Sequence, residues 1–267
     1  MELIRQAANS GKFYPHKAAE ISQMITTWND ILDKNIKDKS ILTIRPRSIV
    51  APHAGYVYSG FTANYAHRIS KNSKPERIIV VGPSHYEYVR GISAGYFDAY
   101  ETPFGLLQGD KDYLKELNQY FNFTFEESAH NQEHSTETQF PFIKYYHPEV
   151  KIIELIYGNT DYLDLADIFE YIFRDPGNLL VISTDLSHFH SRQVAREKDN
   201  NCLVAFEYKD IELSLEKCEA CGKTGLTGII KTANDLYLDT RILDYRTSGD
   251  ITGNTTSVVG YMSGVVY

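Results

Sequence analysis

Short apolar, β-branched runs alternate along this chain with stretches whose apolar residues recur every three or four positions. That is the pattern of buried strands interleaved with helices, and it implies a largely parallel sheet. Residues 48–51, 77–81, 151–156 and 178–183 read as strands. Ile21, Met24, Ile25, Trp28, Ile31 and Leu32 place a helix over 16–34, ending near Lys34-Asn35, within a polar stretch, 33–39, too short to be more than a loop. Further helices are predicted over 59–70 with Ser59 at the N-cap, and over 110–120, 135–146, 161–173, 192–208, 210–218 and 224–236. Pro141 weakens the pattern within 135–146. The aromatic-rich section 91–107 reads as strands and a loop around 102–105, and strand-like 240–245 and 257–266 extend the sheet. The expectation is an α/β fold, one domain over 1–267, with a central mostly parallel or mixed sheet flanked by helices.

Histidines follow two of the strand-like runs. Ser48-Ile49-Val50-Ala51-Pro52-His53 is one, and Arg77-Ile78-Ile79-Val80-Val81-Gly82-Pro83-Ser84-His85 is the other. Ligands of open α/β sheets collect outside the carboxyl ends of the strands, and imidazole is the commonest protein ligand for metals. A third strand end runs through Ser183, Asp185, His188 and His190, bringing an acid and two more imidazoles. A lone histidine is more often packed or exposed than functional, but three strand ends of the same kind point to a shared site. His190 reads as solvent-facing. Glu133-His134-Ser135-Thr136-Glu137 is either a helix entry, with Ser135 as cap, or a polar wall of that site, with Glu133 and Glu137 orienting imidazoles.

Composition narrows the function classes. The chain has 267 residues, 42% of them hydrophobic, enough for a full core. A net charge of −8 argues against nucleic acid as partner, which needs a basic face. No apolar run spans a bilayer and Met1-Glu2-Leu3-Ile4-Arg5 opens no signal peptide, so a cytoplasmic protein without a membrane partner is expected. Cys202, Cys218 and Cys221 are few and odd in number, which suits a reducing compartment better than a disulfide framework.

Two motifs near these cysteines are decoys. Gly222-Lys223-Thr224 lacks the upstream glycine of a phosphate loop, since Lys217 stands there, and Cys218-x-x-Cys221 has no second pair with which to close a zinc site. One thiolate joining His53 and His85 at an ion is the other reading, best met by Cys221 ahead of the helix at 224. A buried small apolar residue is the alternative for the same cysteine.

Taken together, Ala51-Pro52-His53-Ala54-Gly55-Tyr56, Gly82-Pro83-Ser84-His85, Glu133-His134-Ser135, Ser183-x-Asp185-x-x-His188 and Cys221-Gly222 resemble, in order, the Memo family, whose prokaryotic members are also called AmmeMemoRadiSam system protein B. That family is similar in fold to class III extradiol, LigB-like dioxygenases, non-haem iron enzymes with two His and one Glu at the metal. In Memo proteins a Cys stands for the Glu. The resemblance implies His53, His85 and Cys221 as metal ligands. It also puts His188 at the acid/base position, with Asp185 and His134 nearby, and assigns no role to Cys218 or His190.

The function so implied is metal-dependent redox chemistry on a small, aromatic or similar, substrate. Fe(II) is the first expectation for the metal, with Cu or Zn as alternatives, because a thiolate softens the site. Radical SAM and other proteins of the AmmeMemoRadiSam system are the partners the family name suggests. Two other readings use the same pocket: a non-catalytic adaptor that binds a peptide or small molecule, and a hydrolase using zinc-bound water.

Overall fold

Ile78 and Val80 face one side of their strand and Ile79 and Val81 the other, and all four are fully buried. Burial on both faces explains why this run carries no polar alternation. The computed structural model describes residues 2–267. In chain order its strands are β1 (Ile4–Arg5), β2 (Ser48–Ala51), β3 (Arg77–Pro83), β4 (Ile92–Ala94), β5 (Ala99–Thr102), β6 (Gly105–Gly109), β7 (Lys151–Tyr157), β8 (Asn178–Ser183), β9 (His188–His190), β10 (Thr240–Thr247) and β11 (Val258–Val266). They join in one sheet with the path β1-β5-β6-β7-β3-β8-β2-β11-β10, β4 pairing with β7 and β9 with β11. The centre, β6-β7-β3-β8-β2, is parallel, while β11 and β10 add on antiparallel.

Helices cover both faces. Ala18–Asn35, Tyr56–Ser70 and Phe140–Tyr146 pack on Ile49, Ala51, Ile78, Val80, Leu179 and Val181. Tyr162–Ile172, Arg192–Tyr208 and Lys223–Asp235 pack on Val50, Ile79, Val81, Leu180 and Ile182. The chain leaves β2, crosses by Tyr56–Ser70, and returns in β3 with β8 lodged between them. The carboxyl ends of β3, β8 and β2 therefore lie side by side, and the turns after them meet.

Several boundaries differ from expectation, each for a local reason. The helix expected from Ser59 starts a turn earlier at Tyr56, with Gly55 at its N-cap, and the Ser59 hydroxyl donates to the Ala54 carbonyl at 2.9 Å. The 135–146 helix is two, His134–Glu137 and Phe140–Tyr146, and Pro141 sits in the first turn of the second, where a missing N–H leaves nothing unpaired. Glu133, not Ser135, caps the first, accepting from the Ser135 amide at 2.9 Å. The first helix runs into the polar stretch as far as Asn35, and a 3-10 turn, Lys39–Thr43, follows. The 91–107 section holds β4, β5 and most of β6, with β5 and β6 forming an antiparallel hairpin.

The cysteine reading needs correcting as well. Cys202 and Cys218 form a disulfide, because the helices Arg192–Tyr208 and Ile211–Lys217 pack together and bring their Cα atoms to 4.6 Å. Cys218 is thereby unavailable to Cys221 as a Cys-x-x-Cys pair, and Cys221 is the free thiol. No described helix is long and apolar enough to cross a membrane.

Candidate metal centre

The turn after β2 carries His53, the turn after β3 carries His85, and Cys221 comes from the opposite face, just ahead of the helix Lys223–Asp235. One ligand atom from each lies within 4.8 Å of the other two. The ring centroids of His53 and His85 are 5.1 Å apart, and His53 Nε2 lies 3.2 Å from Cys221 Sγ. Ligands at about 2.0–2.3 Å from an ion occupy a space of this size.

Local structure holds each donor. Beyond β8 the chain turns so that the Asp185 amide donates to Cys221 Sγ at 3.2 Å, while the Cys221 amide donates to the Asp185 carbonyl at 3.2 Å. Gly222 makes this approach possible: a Cβ there would sit 2.6 Å from Thr184 Cβ and 2.8 Å from the Ser183 carbonyl oxygen. His53 is anchored at its amide, which donates to Asp185 Oδ1 at 2.8 Å, and its Nδ1 lies 3.0 Å from Ser183 Oγ. His85 is held by Glu133, whose carboxylate accepts the His85 amide at 2.6 Å and faces His85 Nδ1 at 2.8 Å. Carboxylate–imidazole pairing of this kind orients metal-binding histidines and leaves Nε2 free.

The electrostatics suit ligation. Burial, then the neighbouring His85, holds His53 down at about 3, and burial with His53 holds His134 at about 4. Both rings are neutral near pH 7, as a ligand must be. Burial works against ionisation of Glu133, but hydrogen bonds from the His85 ring and from the His85 and Ser135 amides outweigh it and hold the carboxyl at about 2. Burial and Asp185 push the Cys221 thiol up to about 12. A cation beside Sγ reverses that balance, since a coordinating thiol is deprotonated outright. The donor set therefore fits a metal ion.

The other expected residues stand around this centre. The His134 ring lies 4.5 Å from that of His85 and 5.3 Å from that of His53, stacked on Phe13 at 4.4 Å. Its buried Nδ1 has no hydrogen-bond partner among the described residues, lying 3.4 Å from Glu133 Oε1 without hydrogen-bond geometry. His188 is half-buried on β9, three residues beyond Asp185. The Asp185 carboxylate is buried and taken up by backbone amides, which makes it a brace. Glu133 does meet an imidazole, whereas Glu137 turns away to Arg5, Asn9 and Tyr14. His190 is tied to Glu219 at 2.8 Å instead of facing solvent freely, and so steadies the Cys221 loop.

Three residues were not foreseen in any role: Ser183 and Gln139 behind His53, and Arg5 beneath Glu133. Arg5 is fully buried, donating to the Glu133 carbonyl and to Glu137, each at 2.8 Å. Only the placing of Ser183 in a strand-end motif hinted at it.

A family profile described as Memo-like protein matches residues 5–265. The chain belongs to the Memo family. Among its Memo relatives, a MEMO1 family protein of Aquifex aeolicus is 32% identical over 270 residues, covering 97% of each chain. Another, of Nitrosopumilus maritimus, is 28% identical over 272 residues, covering 97% of this chain and 98% of that one. The crystal structure of an uncharacterized protein from Escherichia coli K12 superposes with a TM-score of 0.51 at 14% identity, covering 83% of this chain and all of that one. At that identity the likeness concerns the fold alone. All the centre-forming residues of this Memo chain lie inside the matched span.

Proposed function

We propose that this Memo protein binds a redox metal, Fe(II) or Cu, through His53, His85 and Cys221, and uses it to oxidise a small, aromatic or similar, substrate. The convergence of two oriented imidazoles and one half-buried free thiol carries the reading. When bound, the metal would bring an acidic substrate hydroxyl together with dioxygen, the oxidant that takes up the electrons the substrate gives. The protein's own part is orientation and proton handling. In this reading His188 takes a proton from a substrate hydroxyl and returns it. His134, whose buried Nδ1 has no partner among the described residues, fixes the substrate's orientation in this reading. Asp185 positions His53 and Cys221 through the backbone and does not carry the proton itself.

The test is elemental analysis after oxygen-free purification, followed by oxygen uptake with a panel of diphenols. About one iron or copper per chain is expected, and His53→Ala and Cys221→Ala should each lose it. His188→Ala should keep the metal and lose turnover. A protein that takes up only zinc and hydrolyses esters without oxygen uptake would replace the redox reading. One that stays empty under iron and copper loading would leave the pocket as a binding site only.

A further inference from the structure

Behind His53 lies a buried chain of hydrogen bonds whose polarity is set by groups that can act in one way only. The carbonyls of Pro52 and Ser135 are acceptors. The Gln139 side-chain atom 3.0 Å from the Pro52 carbonyl is therefore the amide nitrogen, and its second hydrogen goes to Ser183 Oγ at 2.9 Å. Gln139 Oε1 accordingly faces His67 Nε2 at 2.8 Å, which must donate. The single Ser183 hydroxyl hydrogen is given to the Ser135 carbonyl at 2.5 Å. Ser183 Oγ, with one hydrogen already received from Gln139, has only a lone pair to show to His53 Nδ1 at 3.0 Å. Two lone pairs cannot face each other at that distance in a buried site without large cost, so Nδ1 carries the hydrogen.

We propose that Ser183, oriented by Gln139 and the Ser135 carbonyl, is a positioning residue that fixes His53 in its Nδ1–H form and so presents the Nε2 lone pair to the space shared with Cys221. Cys221 cannot make this choice, because a sulfur at 3.2 Å can either donate to Nε2 or accept from it. Ser183, Gln139 and His67 are all buried. Water therefore does not reach in to substitute, and the polarity set by the backbone carbonyls passes unbroken to the ring. The proposal rests on the ligand assignment above for its purpose, but it concerns a hydrogen position that exists without metal.

The experiment is imidazole nitrogen NMR on metal-free protein carrying 15N-histidine, where long-range proton–nitrogen couplings separate the Nδ1–H from the Nε2–H form. The His53 signals are assigned by their loss in His53→Gln. Native protein should show His53 as Nδ1–H. Ser183→Ala should move it substantially toward Nε2–H and weaken metal affinity about ten- to a hundredfold. Ser183→Thr, which keeps the hydroxyl, should restore both. An Nε2–H ring in the native protein overturns the proposal, and that reading needs no substitution, so a variant that fails to fold does not blunt it. A Ser183→Ala protein whose His53 stays Nδ1–H overturns it equally. If His53 is Nδ1–H and answers to Ser183 while the protein refuses iron and copper, the proposed function fails and this inference stands.

Discussion

Glu133 shows how much one side chain does here. Its carboxylate receives the His85 amide, the Ser135 amide and the His85 ring at 2.6–2.9 Å, so it caps a helix and aims a ligand at once. Glu133→Gln keeps the shape but makes one of its two side-chain ends a donor. An NH2 in place of Oε1 faces both the Ser135 amide and His85 Nδ1, and one in place of Oε2 faces the His85 amide, so either orientation sets N–H against N–H. Metal affinity should fall about ten- to a hundredfold, the range seen when an outer-shell partner of a ligand is changed. Competition with a chelator of known affinity measures it. An unchanged affinity would mean that His85 is oriented by something other than this carboxylate.

At the scale of elements, β1 and the Cys221 turn are the pieces on which the centre leans. β1 has two residues, yet it delivers Arg5 to Glu137 at 2.8 Å and to Glu154 at 3.4 Å, all three buried. Arg5→Met leaves two carboxylates without their cation and should cost about 3–5 kcal/mol, read as a fall in the urea midpoint. The Cys221 turn depends on Gly222, where a Cβ would meet Thr184 and the Ser183 carbonyl oxygen inside 3 Å. Gly222→Ala should displace Sγ, lose the metal, and cost about 1–3 kcal/mol as an overpacked site does. Full metal content in that variant would count against the close approach.

These two pieces also mark the limit of what the chain alone disclosed. The strands β2 and β8 and the helix Arg192–Tyr208 were readable to the residue, because continuous apolar runs bound the strands and Ser191 caps the helix. Strands as short as β1 and β9 have no period to read. His53 and His85 were legible as strand-end histidines, whereas Cys221 needed the family resemblance. Ser183, Gln139 and Arg5 act through partners far away along the chain, and no local pattern records that. The Cys202–Cys218 bridge is likewise a product of two helices packing.

For the whole molecule, the buried histidines predict how the fold responds to acid. His67 and His147 lie away from the ligands. Burial holds His67 at about 3, although its bond to Gln139 works the other way, and burial holds His147 at about 4. In the unfolded chain both rings titrate near 6.5. Below that pH the unfolded state takes up protons that the folded state refuses, so stability is complete above about 6.5 and declines as pH falls toward 4 and then 3. Each ring contributes a slope of up to about 1.4 kcal/mol per pH unit in that window. Glu133, held at about 2, acts in the same direction, but only once the pH drops below the ordinary carboxyl range. Loss of stability should thus begin between pH 6.5 and 5, before carboxylates protonate, and be visible in urea unfolding at pH 7, 6 and 5. His67→Gln retains a donor for Gln139 and removes one titrating ring, so its slope in that window should be shallower by about one proton. If the two proteins lose stability in parallel from pH 7 to 5, the His67 ring is charging in the folded state, and the buried neutral chain behind His53 would not be as the structure has it.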